Sequence, residues 1–388
     1  MNKPEKRYDC IVLGAGIFGL SAAAFFASRG YRVALIEKED TVFANASRYN
    51  QARVHRGYHY PRSLSTAKAA AEHYERFCTE FRFALTEPFK SIYAVAAHNS
   101  KVSAEEYVQF CKEVDIPLTE VDPSTYFAEG TVSAAWEVGE ASYNFAAIRE
   151  YYLKKLKGSR LVDIHNNTQP IAQKKVGDAY QITLSGKSTA IEAPFVVNAT
   201  YSSVNDANTL FGHPGYDVKY ELCELALYDR SSSLAHTGIT VVDGPFFSFM
   251  PYGDGSVVSL TSVGLTPHHT STDKPQTNLL DTLRGSAELA RAASRRASME
   301  QLAMEYLKPG LSDFSYRDSV FAIKPILKWA EQDDDRPTLI DVHSTQPYFV
   351  SVLSGKVSGI YELERVLEGL LDAQSAPHTS RKPKTALV

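Results

Sequence analysis

The 388-residue chain is poor in cysteine and contains no long apolar run. Its four cysteines, Cys10, Cys78, Cys111 and Cys223, are widely separated and form no Cys-x-x-Cys pair, which argues against a disulfide framework and against a structural zinc site. No segment reaches the ~18 apolar residues of a membrane-spanning helix, and the N-terminus lacks the apolar region of a signal peptide. We therefore expect reduced thiols, no bound metal, no membrane span and a cytoplasmic protein.

An excess of positive charge is also missing. The sequence has 41 Lys and Arg residues against 45 Asp and Glu residues, giving a formal net charge of -4. Nucleic-acid binding depends on clustered cations that neutralise phosphates, so nucleic acid is not an expected partner. The hydrophobic content of 44% and charged content of 22% are ordinary for globular proteins. The length is about 2.6 times that of a typical ~150-residue domain, which predicts two domains.

The N-terminal region predicts a βαβ unit. Residues 8–13 form an apolar, β-branched run that ends at the sequence GAGIFG, residues 14–19. An alanine-rich helical segment (20–29) and a second apolar run (32–36) follow, and Glu37 comes directly after the second run. A strand, a glycine-rich turn, a helix and a distal acid are the context that a dinucleotide-binding fingerprint requires.

Each residue of this fingerprint has a predicted role. Gly14 permits the tight turn, Gly16 lets the backbone approach a pyrophosphate, and Gly19 allows the helix to pack against the strand. The helix N-terminus favours the anion, and Glu37 can accept the ribose hydroxyls. NAD and FAD share the ADP moiety, so the fingerprint leaves both cofactors open. The remaining predicted cofactor contacts of this region are Ile17, Phe18 and Lys38.

Other segments predict further elements. Residues 180–184 alternate like a hairpin strand, and residues 193–200 are typical of a buried strand that enters a loop. Residues 279–307 have the period of one long helix that Pro309 and Gly310 terminate. Residues 373–388 lack apolar periodicity and predict a frayed tail.

Four segments together resemble the D-amino-acid-oxidase-like superfamily of FAD-dependent oxidoreductases, which includes glycine and sarcosine oxidases. They are the fingerprint, SRYNQARVHRGYHYP at 47–61, VVNAT at 196–200 and FVSVLSGK at 349–356. The resemblance covers nearly the whole chain. It implies an α/β fold in which a Rossmann-type FAD-binding domain (1–84, 144–211 and 315–372) is interleaved with an α+β substrate domain that has a mixed sheet (85–143 and 212–314).

The resemblance also implies the cofactor and its contacts. Some family members tether FAD through a cysteine in the strand that corresponds to residues 319–325, where this chain has none, so the predicted FAD is non-covalent. Lys356 stands where the family has a histidine beneath the flavin, and a cation there can stabilise charge on a flavin that accepts a hydride. Lys356 is therefore a predicted catalytic residue. The implied FAD contacts are Ser47, Asn50, Gln51, Ala52, Arg53, Val54, Ala199, Thr200, Ser354, Gly355 and Lys356.

The substrate side of the site is predicted in the same way. Arg56 follows Arg53 at the spacing with which sarcosine-oxidase-type members hold a substrate carboxylate. Tyr58 and Tyr252 are predicted to form a wall of the substrate pocket, Tyr252 within a hairpin at 246–255. The expected partners are a small substrate with a carboxylate, and oxygen or another electron acceptor.

The chemistry divides into two alternatives. A neutral amine can lose hydride to flavin directly and give an imine that water hydrolyses, whereas a hydroxy acid also needs a base for its hydroxyl proton. The resemblance to the amine-oxidising branch, which includes the Arg53 and Arg56 pair as well as the glycine motifs, implies oxidation of an amine or amino acid. The pattern His55-x-Gly57-x-x-Tyr60 also resembles the hydroxyglutarate-dehydrogenase branch, in which case His55 or His59 is the catalytic base of a 2-hydroxy-acid dehydrogenase. A flavin-bearing scaffold without catalysis is a third alternative.

Overall fold

The computed structural model describes residues 6–87, 89–229, 236–311, 315–330 and 335–375. The predicted tail therefore lies almost entirely outside the described residues. Within these ranges the helices are α1 (Ile17–Ser28), α2 (Leu64–Glu80), α3 (Ala104–Val114), α4 (Phe145–Ser159), α5 (Val204–Leu210), α6 (Thr277–Gly285), α7 (Ala287–Ala293), α8 (Arg296–Tyr306) and α9 (Ile360–Ser375).

The strands of the same ranges form four sheets. They are β1 (Lys6–Arg7), β2 (Cys10–Leu13), β3 (Val33–Ile36), β4 (Arg53–Val54), β5 (Lys90–Ala96), β6 (Leu118–Val121), β7 (Val132–Val138), β8 (Ala141–Ser142), β9 (Val162–His165), β10 (Pro170–Val176), β11 (Ala179–Leu184), β12 (Ala190–Ala193), β13 (Phe195–Asn198), β14 (Val218–Asp229), β15 (Thr237–Val242), β16 (Phe247–Tyr252), β17 (Val257–Ser262), β18 (Pro267–Ser271), β19 (Ser315–Leu327), β20 (Leu339–Thr345) and β21 (Tyr348–Leu353).

A six-stranded sheet is built around the predicted βαβ unit. Its order is β20-β21-β13-β2-β3-β9, and every pair is parallel except β20 with β21. The predicted βαβ elements are confirmed as β2, α1 and β3, and the buried strand predicted at 193–200 is confirmed as β13. The fold is thus the expected α/β class with mixed sheets.

Both faces of this sheet are covered, which explains the unbroken apolar runs. Cys10 and Val12 of β2 pack into the core on the side of α1, α4 and α9. Ile11 and Leu13 point the other way and contact Tyr180 and other residues of a four-stranded sheet, β1-β12-β11-β10. Successive side chains of a strand alternate between faces, so a strand buried on both faces is apolar throughout.

A nine-stranded sheet forms the second unit. Eight strands follow the order β18-β14-β17-β16-β15-β5-β7-β6, and β19 pairs with β14 along its whole length. The hairpin predicted at 246–255 is confirmed as β16 and β17. Through its pairing with β14, β19 (Ser315–Leu327) belongs to the nine-stranded sheet, whereas the predicted division assigned residues 315–372 to the FAD-binding domain.

The single long helix predicted at 279–307 is wrong, because the structure has three shorter helices there. The Ser286 side chain caps α7 by accepting a hydrogen bond from the backbone N–H of Leu289. Between α7 and α8, the buried Glu224 carboxylate accepts hydrogen bonds from the Ser294 hydroxyl and the Arg295 backbone N–H. A buried carboxylate needs such partners, so a tertiary contact overrides the local helical period.

Candidate active site

A cavity of about 1010 Å³ lies at the carboxyl ends of four strands of the six-stranded sheet. Gly14 follows β2, Glu37 follows β3, Ala199 follows β13 and Ser354 follows β21, and all four residues line this cavity. The crevice at the carboxyl ends of strands is the usual ligand site of open α/β sheets. The opposite wall comes from the nine-stranded sheet, chiefly from β14, β15, β16 and β19.

Two glycines of the fingerprint are required by the fold itself. Gly14 has φ +88°, and a Cβ atom there would lie 2.7 Å from the carbonyl oxygen of Ala199. A Cβ atom on Gly19 would lie 1.8 Å from the carbonyl oxygen of Gly14. The close approach of α1 to β2 and β13 therefore excludes any side chain at either position.

Gly16 is not required by the fold. Its backbone is extended, with φ -72° and ψ -173°, and a Cβ atom there would meet only the Ser47 hydroxyl oxygen, at 3.0 Å. The residue lies at the N-terminus of α1, which has no side-chain cap at Gly16, and it lines the cavity. The open space over a helix N-terminus fits the pyrophosphate of a dinucleotide.

Glu37 is held in place at the end of β3. Its carboxylate accepts hydrogen bonds from the backbone N–H of Ala15 at 2.7 Å and of Glu39 at 3.0 Å. The side chain is buried, and burial raises the pKa of this carboxyl although both hydrogen bonds act against that rise. Glu37 and Lys38 line the cavity, and the contact of the Glu37 carboxylate with ribose hydroxyls stays a prediction.

In the segment that follows β3, some of the predicted FAD contacts line the cavity and others do not. The Ser47 hydroxyl accepts a hydrogen bond from the Ile17 backbone N–H at 3.0 Å, and Asn50 holds the loop through the backbone N–H of Ala52. Of the predicted FAD contacts, the residues that line the cavity are Gly14, Gly16, Ile17, Phe18, Glu37, Lys38, Ser47, Asn50, Gln51, Arg53, Ala199, Thr200, Ser354, Gly355 and Lys356. Gly19, Ala52 and Val54 are buried behind the cavity wall.

The loop after β13 places Tyr201 at the edge of the cavity. Tyr201 has φ +54°, the left-handed conformation that glycine adopts without strain. Its ring packs against the apolar cluster of β14 and β19, and the residue lines the cavity. The tyrosine therefore keeps the backbone path of a glycine and adds an aromatic group to the cavity wall.

Lys356 is buried at the end of β21. It is 2% exposed, and its ammonium donates a hydrogen bond to the carbonyl oxygen of Arg336 and lies 5.7 Å from the centre of the Tyr60 ring. Burial lowers the pKa of Lys356 to about 8. A buried ammonium that is still protonated at neutral pH can stabilise negative charge on a ligand.

A buried polar cluster lies beside three strands of the nine-stranded sheet, β5, β15 and β16. Arg53 forms an ion pair with Glu140, Nη1 to Oε2 at 2.9 Å, and both side chains are almost wholly buried. The Arg53 guanidinium also donates to the hydroxyls of Tyr93, Thr240 and Ser248. Sequence reasoning missed Glu140, because no local pattern distinguishes this residue in the turn between β7 and β8.

The two predicted histidine bases are brought together in the cavity wall. The rings of His55 and His59 have centroids 5.5 Å apart, and both residues line the cavity. Nδ1 of His55 lies 3.4 Å from Oε1 of Glu140. Burial lowers the pKa of both imidazoles, most strongly that of His59, so both are neutral at pH 7 and able to accept a proton.

The three predicted substrate-binding residues are not brought to the cavity. The Arg56 guanidinium faces Glu75 at 3.0 Å and lies over the Tyr74 ring. The Tyr58 hydroxyl donates to the carbonyl oxygen of Pro117, and the Tyr252 hydroxyl donates to that of Arg48. These contacts direct each polar group into the protein or toward α2, and none of the three residues lines the cavity.

Cations outnumber acids around the cavity. Eight Lys and Arg residues and five Asp and Glu residues line it. Lys324, on β19, has no ion-pair partner among the residues that the structure describes, and its strand partner in register is Glu221 of β14. The cavity therefore has the charge to hold an anion besides a cofactor. Sequence reasoning considered residues 319–325 only for a cysteine and missed this lysine.

Two classes of feature are absent from the described ranges. No group of three or more His, Cys, Asp or Glu side chains there could hold a metal ion. In the same ranges, no helix combines the length and apolar character needed to cross a bilayer.

Comparison with known proteins identifies the family and similar folds. The family described as FAD dependent oxidoreductase (DAO) matches residues 9–343. The FAD-dependent monooxygenase FPY4 of Fusarium mangiferae is 26% identical over 365 residues, which cover 94% of this chain and 91% of that protein. Glycine oxidase from Geobacillus kaustophilus has a similar fold, with a TM-score of 0.68, 16% identity and 97% coverage of both chains. L-alpha-glycerophosphate oxidase from Mycoplasma pneumoniae, solved with FAD bound, gives a TM-score of 0.74 at 15% identity and 95% coverage of both chains.

Proposed function

The chain belongs to the FAD-dependent oxidoreductase family, and we propose that it oxidises an alcohol carbon of a small anionic substrate, with His55 as the base. The observation that carries this proposal is the pair of half-buried histidines, His55 and His59, whose ring centroids lie 5.5 Å apart in the cavity wall. Oxidation of a hydroxyl-bearing carbon needs a base, whereas oxidation of a neutral amine does not. The sequence-based preference for an amine depended on Arg56, whose guanidinium faces Glu75 instead of the cavity.

The protein's own groups would act as follows. FAD, when bound, supplies the two-electron acceptor. His55 accepts the hydroxyl proton at Nε2, since Nδ1 faces Glu140. The imidazolium that forms lies beside the Glu140 carboxylate, whose pKa is lowered to about 2 and which therefore stays charged. Lys324 is placed to pair with an anionic group of the substrate.

Oxidation of the C–N bond of a small amine or amino acid is the second candidate. The glycine oxidase that shares this fold acts, by its name, on an amino acid. The same cavity would serve, with the histidines in a structural role. The curated relative is named a monooxygenase, so reduction by a nicotinamide nucleotide is a third outcome to be measured.

Anaerobic stopped-flow reduction of the flavin separates these candidates. The holoenzyme would be mixed with 2-hydroxy acids, polyol phosphates, amino acids, NADH and NADPH. We expect reduction by a hydroxyl compound and a loss on the order of 10²-fold or more in His55→Gln. Reduction by an amino acid at a rate that follows the substrate's own amine pKa, unchanged in His55→Gln, would establish the amine candidate.

The anionic group of the substrate is tested by two matched charge removals. Lys324→Met should raise KM by on the order of 10-fold or more, because a desolvated ion pair is lost. Arg56→Met should change KM little, because that guanidinium is outside the cavity lining. The reverse pattern would restore Arg56 as the carboxylate anchor.

A further inference from the structure

Glu140 connects the buried cluster to the histidine pair. Its Oε2 accepts hydrogen bonds from Arg53 Nη1 at 2.9 Å and from the Tyr93 hydroxyl at 2.6 Å. Its Oε1 accepts only a long hydrogen bond, from the Arg56 backbone N–H at 3.3 Å. The same oxygen lies 3.4 Å from Nδ1 of His55. One carboxylate oxygen is thus occupied by the cluster, and the other faces the imidazole.

The partners of Glu140 fix its charge and its direction. The carboxylate is fully buried, and the adjacent guanidinium lowers its pKa to about 2 despite the opposing effect of burial. A buried carboxylate with a full negative charge accepts hydrogen bonds and donates none. The imidazole nitrogen that faces it is therefore favoured as the N–H of the neutral ring.

We propose that Glu140 is a positioning residue that holds the proton of neutral His55 on Nδ1 and so leaves Nε2 as the free base of the cavity. This inference rests on the proposed function of His55. The 3.4 Å contact is longer than the usual ~2.7–3.2 Å of an N–H···O bond, and Nδ1 of His55 makes no hydrogen bond with the described residues of this structure. Hydrogen bonds in active sites are commonly long before a substrate binds.

The charged groups around His55 support this arrangement. Among the charged groups around His55, Arg53 and Lys356 disfavour an imidazolium, whereas Glu140 favours it. Around His59, Arg53 and Arg336 act against a positive ring, and Glu140 again acts in favour. When His55 takes a proton, Glu140 is therefore the group that compensates the new charge, as a carboxylate does for a catalytic histidine.

The test is the tautomer of His55 in the purified holoenzyme. Two-bond ¹H–¹⁵N correlation spectra of protein labelled with [¹⁵N]histidine distinguish protonated from unprotonated ring nitrogens, and the His55→Gln variant assigns the signal. We expect Nδ1 protonated and Nε2 unprotonated in the wild type. A protonated Nε2 with an unprotonated Nδ1 would overturn the proposal without the need for any variant of Glu140.

Two variants of the cluster extend the test. In Glu140→Gln the amide can present an N–H group to Nδ1, so the Nε2–H tautomer of His55 should become populated and the apparent pKa of the base in the pH profile of flavin reduction should fall. Tyr93→Phe is the matched control, since it removes a hydrogen bond to Oε2 and leaves Oε1 in place; its His55 spectrum should match that of the wild type. An unchanged tautomer in folded Glu140→Gln would refute the positioning role.

The outcome for Glu140 is separable from that for the proposed reaction. If His55→Gln reduces the flavin at the wild-type rate while the wild-type tautomer is the expected one, the proposed base is wrong and the positioning contact stands. If His55→Gln is slow but the wild-type proton resides on Nε2, His55 still takes part in the reaction, whereas its action as a base through Nε2 and the positioning role of Glu140 are both refuted.

Discussion

A Cβ atom on Gly19 would lie 1.8 Å from the carbonyl oxygen of Gly14, closer than any two such atoms can approach. The contact joins the first turn of α1 to the end of β2 and fixes the direction in which the helix leaves the sheet. At Gly16, two residues beyond the turn, the same substitution would meet only a serine hydroxyl, at 3.0 Å. The glycines of one motif thus serve different purposes.

Replacing each glycine by alanine should separate folding from cofactor binding. Gly19→Ala should destabilise the protein severely, because backbone must move to admit the methyl group. Gly16→Ala should fold with a melting temperature close to that of wild-type apoprotein and bind FAD much more weakly, since the methyl group occupies the space of a pyrophosphate. Thermal unfolding and flavin absorbance of the purified variants measure the two effects. Full FAD occupancy in Gly16→Ala would contradict this assignment.

The FAD should be released by acid precipitation. Residues 319–325 contain no cysteine, and Cys223, which lines the cavity, has a pKa raised to about 11 by burial. A protonated thiol is a poor nucleophile, so a covalent link through Cys223 is not expected. The absorbance of the supernatant after precipitation measures release. Yellow colour that stays with the pellet would show a covalent flavin.

Removal of one partner of the buried Arg53 and Glu140 ion pair should destabilise the folded protein. Arg53→Met leaves the Glu140 carboxylate buried without its partner, and we expect the free energy of unfolding to fall by about 3–5 kcal/mol. The double variant Arg53→Met, Glu140→Leu should recover part of that loss, because it removes the orphaned charge. Urea unfolding of both proteins gives the comparison. If the double variant is less stable than Arg53→Met, by the amount expected for an independent substitution at Glu140, the two residues are not coupled.

Stability should decrease as the pH falls below the ordinary histidine range. Burial lowers the pKa of His55 and His59 below their ordinary value of ~6.5, so the unfolded chain binds protons that the folded chain does not. The free energy of unfolding should therefore be unaffected by these groups above about pH 6.5 and fall below it, by at most ~1.4 kcal/mol per pH unit for each histidine. Urea unfolding between pH 8 and 5.5 measures this effect, because the range avoids carboxylate protonation. The free energy of unfolding should change less steeply with pH in the double variant His55→Gln/His59→Gln than in the wild type. Equal slopes would show that other groups govern the effect.

Lys356 should make flavin reduction dependent on pH near 8. Its pKa is lowered to about 8, so the ammonium is mostly present at pH 7 and is lost as the pH rises through that value. The rate of flavin reduction should fall above pH 8 in the wild type. In Lys356→Met the rate of flavin reduction should be lower, on the order of 10²-fold, and should no longer fall above pH 8. Lys38→Met is the control, because Lys38 is next to Glu37, the predicted ribose contact. This variant should alter FAD affinity, and its rate of flavin reduction should still fall above pH 8.

The sequence alone determined the framework and the cofactor end of the site. The βαβ unit, the buried strand before Ala199 and the acid at Glu37 follow from short-range patterns, because glycine spacing and strand periodicity are local properties of the chain. The resemblance in four segments led to FAD in the same way. The break in the predicted helix at Ser294 was beyond such patterns, since its cause is a carboxylate on a distant strand.

Only the tertiary structure decided which side chains outside the fingerprint face the cavity. Arg53 and Arg56 have the same side chain three residues apart, yet one guanidinium is buried against Glu140 and the other faces Glu75. Lys324 and Glu140 become part of the site through pairing and packing of strands remote from the fingerprint. The direction of a side chain depends on the element on which it lies and on the partners available there, and those partners come from distant parts of the sequence. A linear pattern of residue types cannot contain that information.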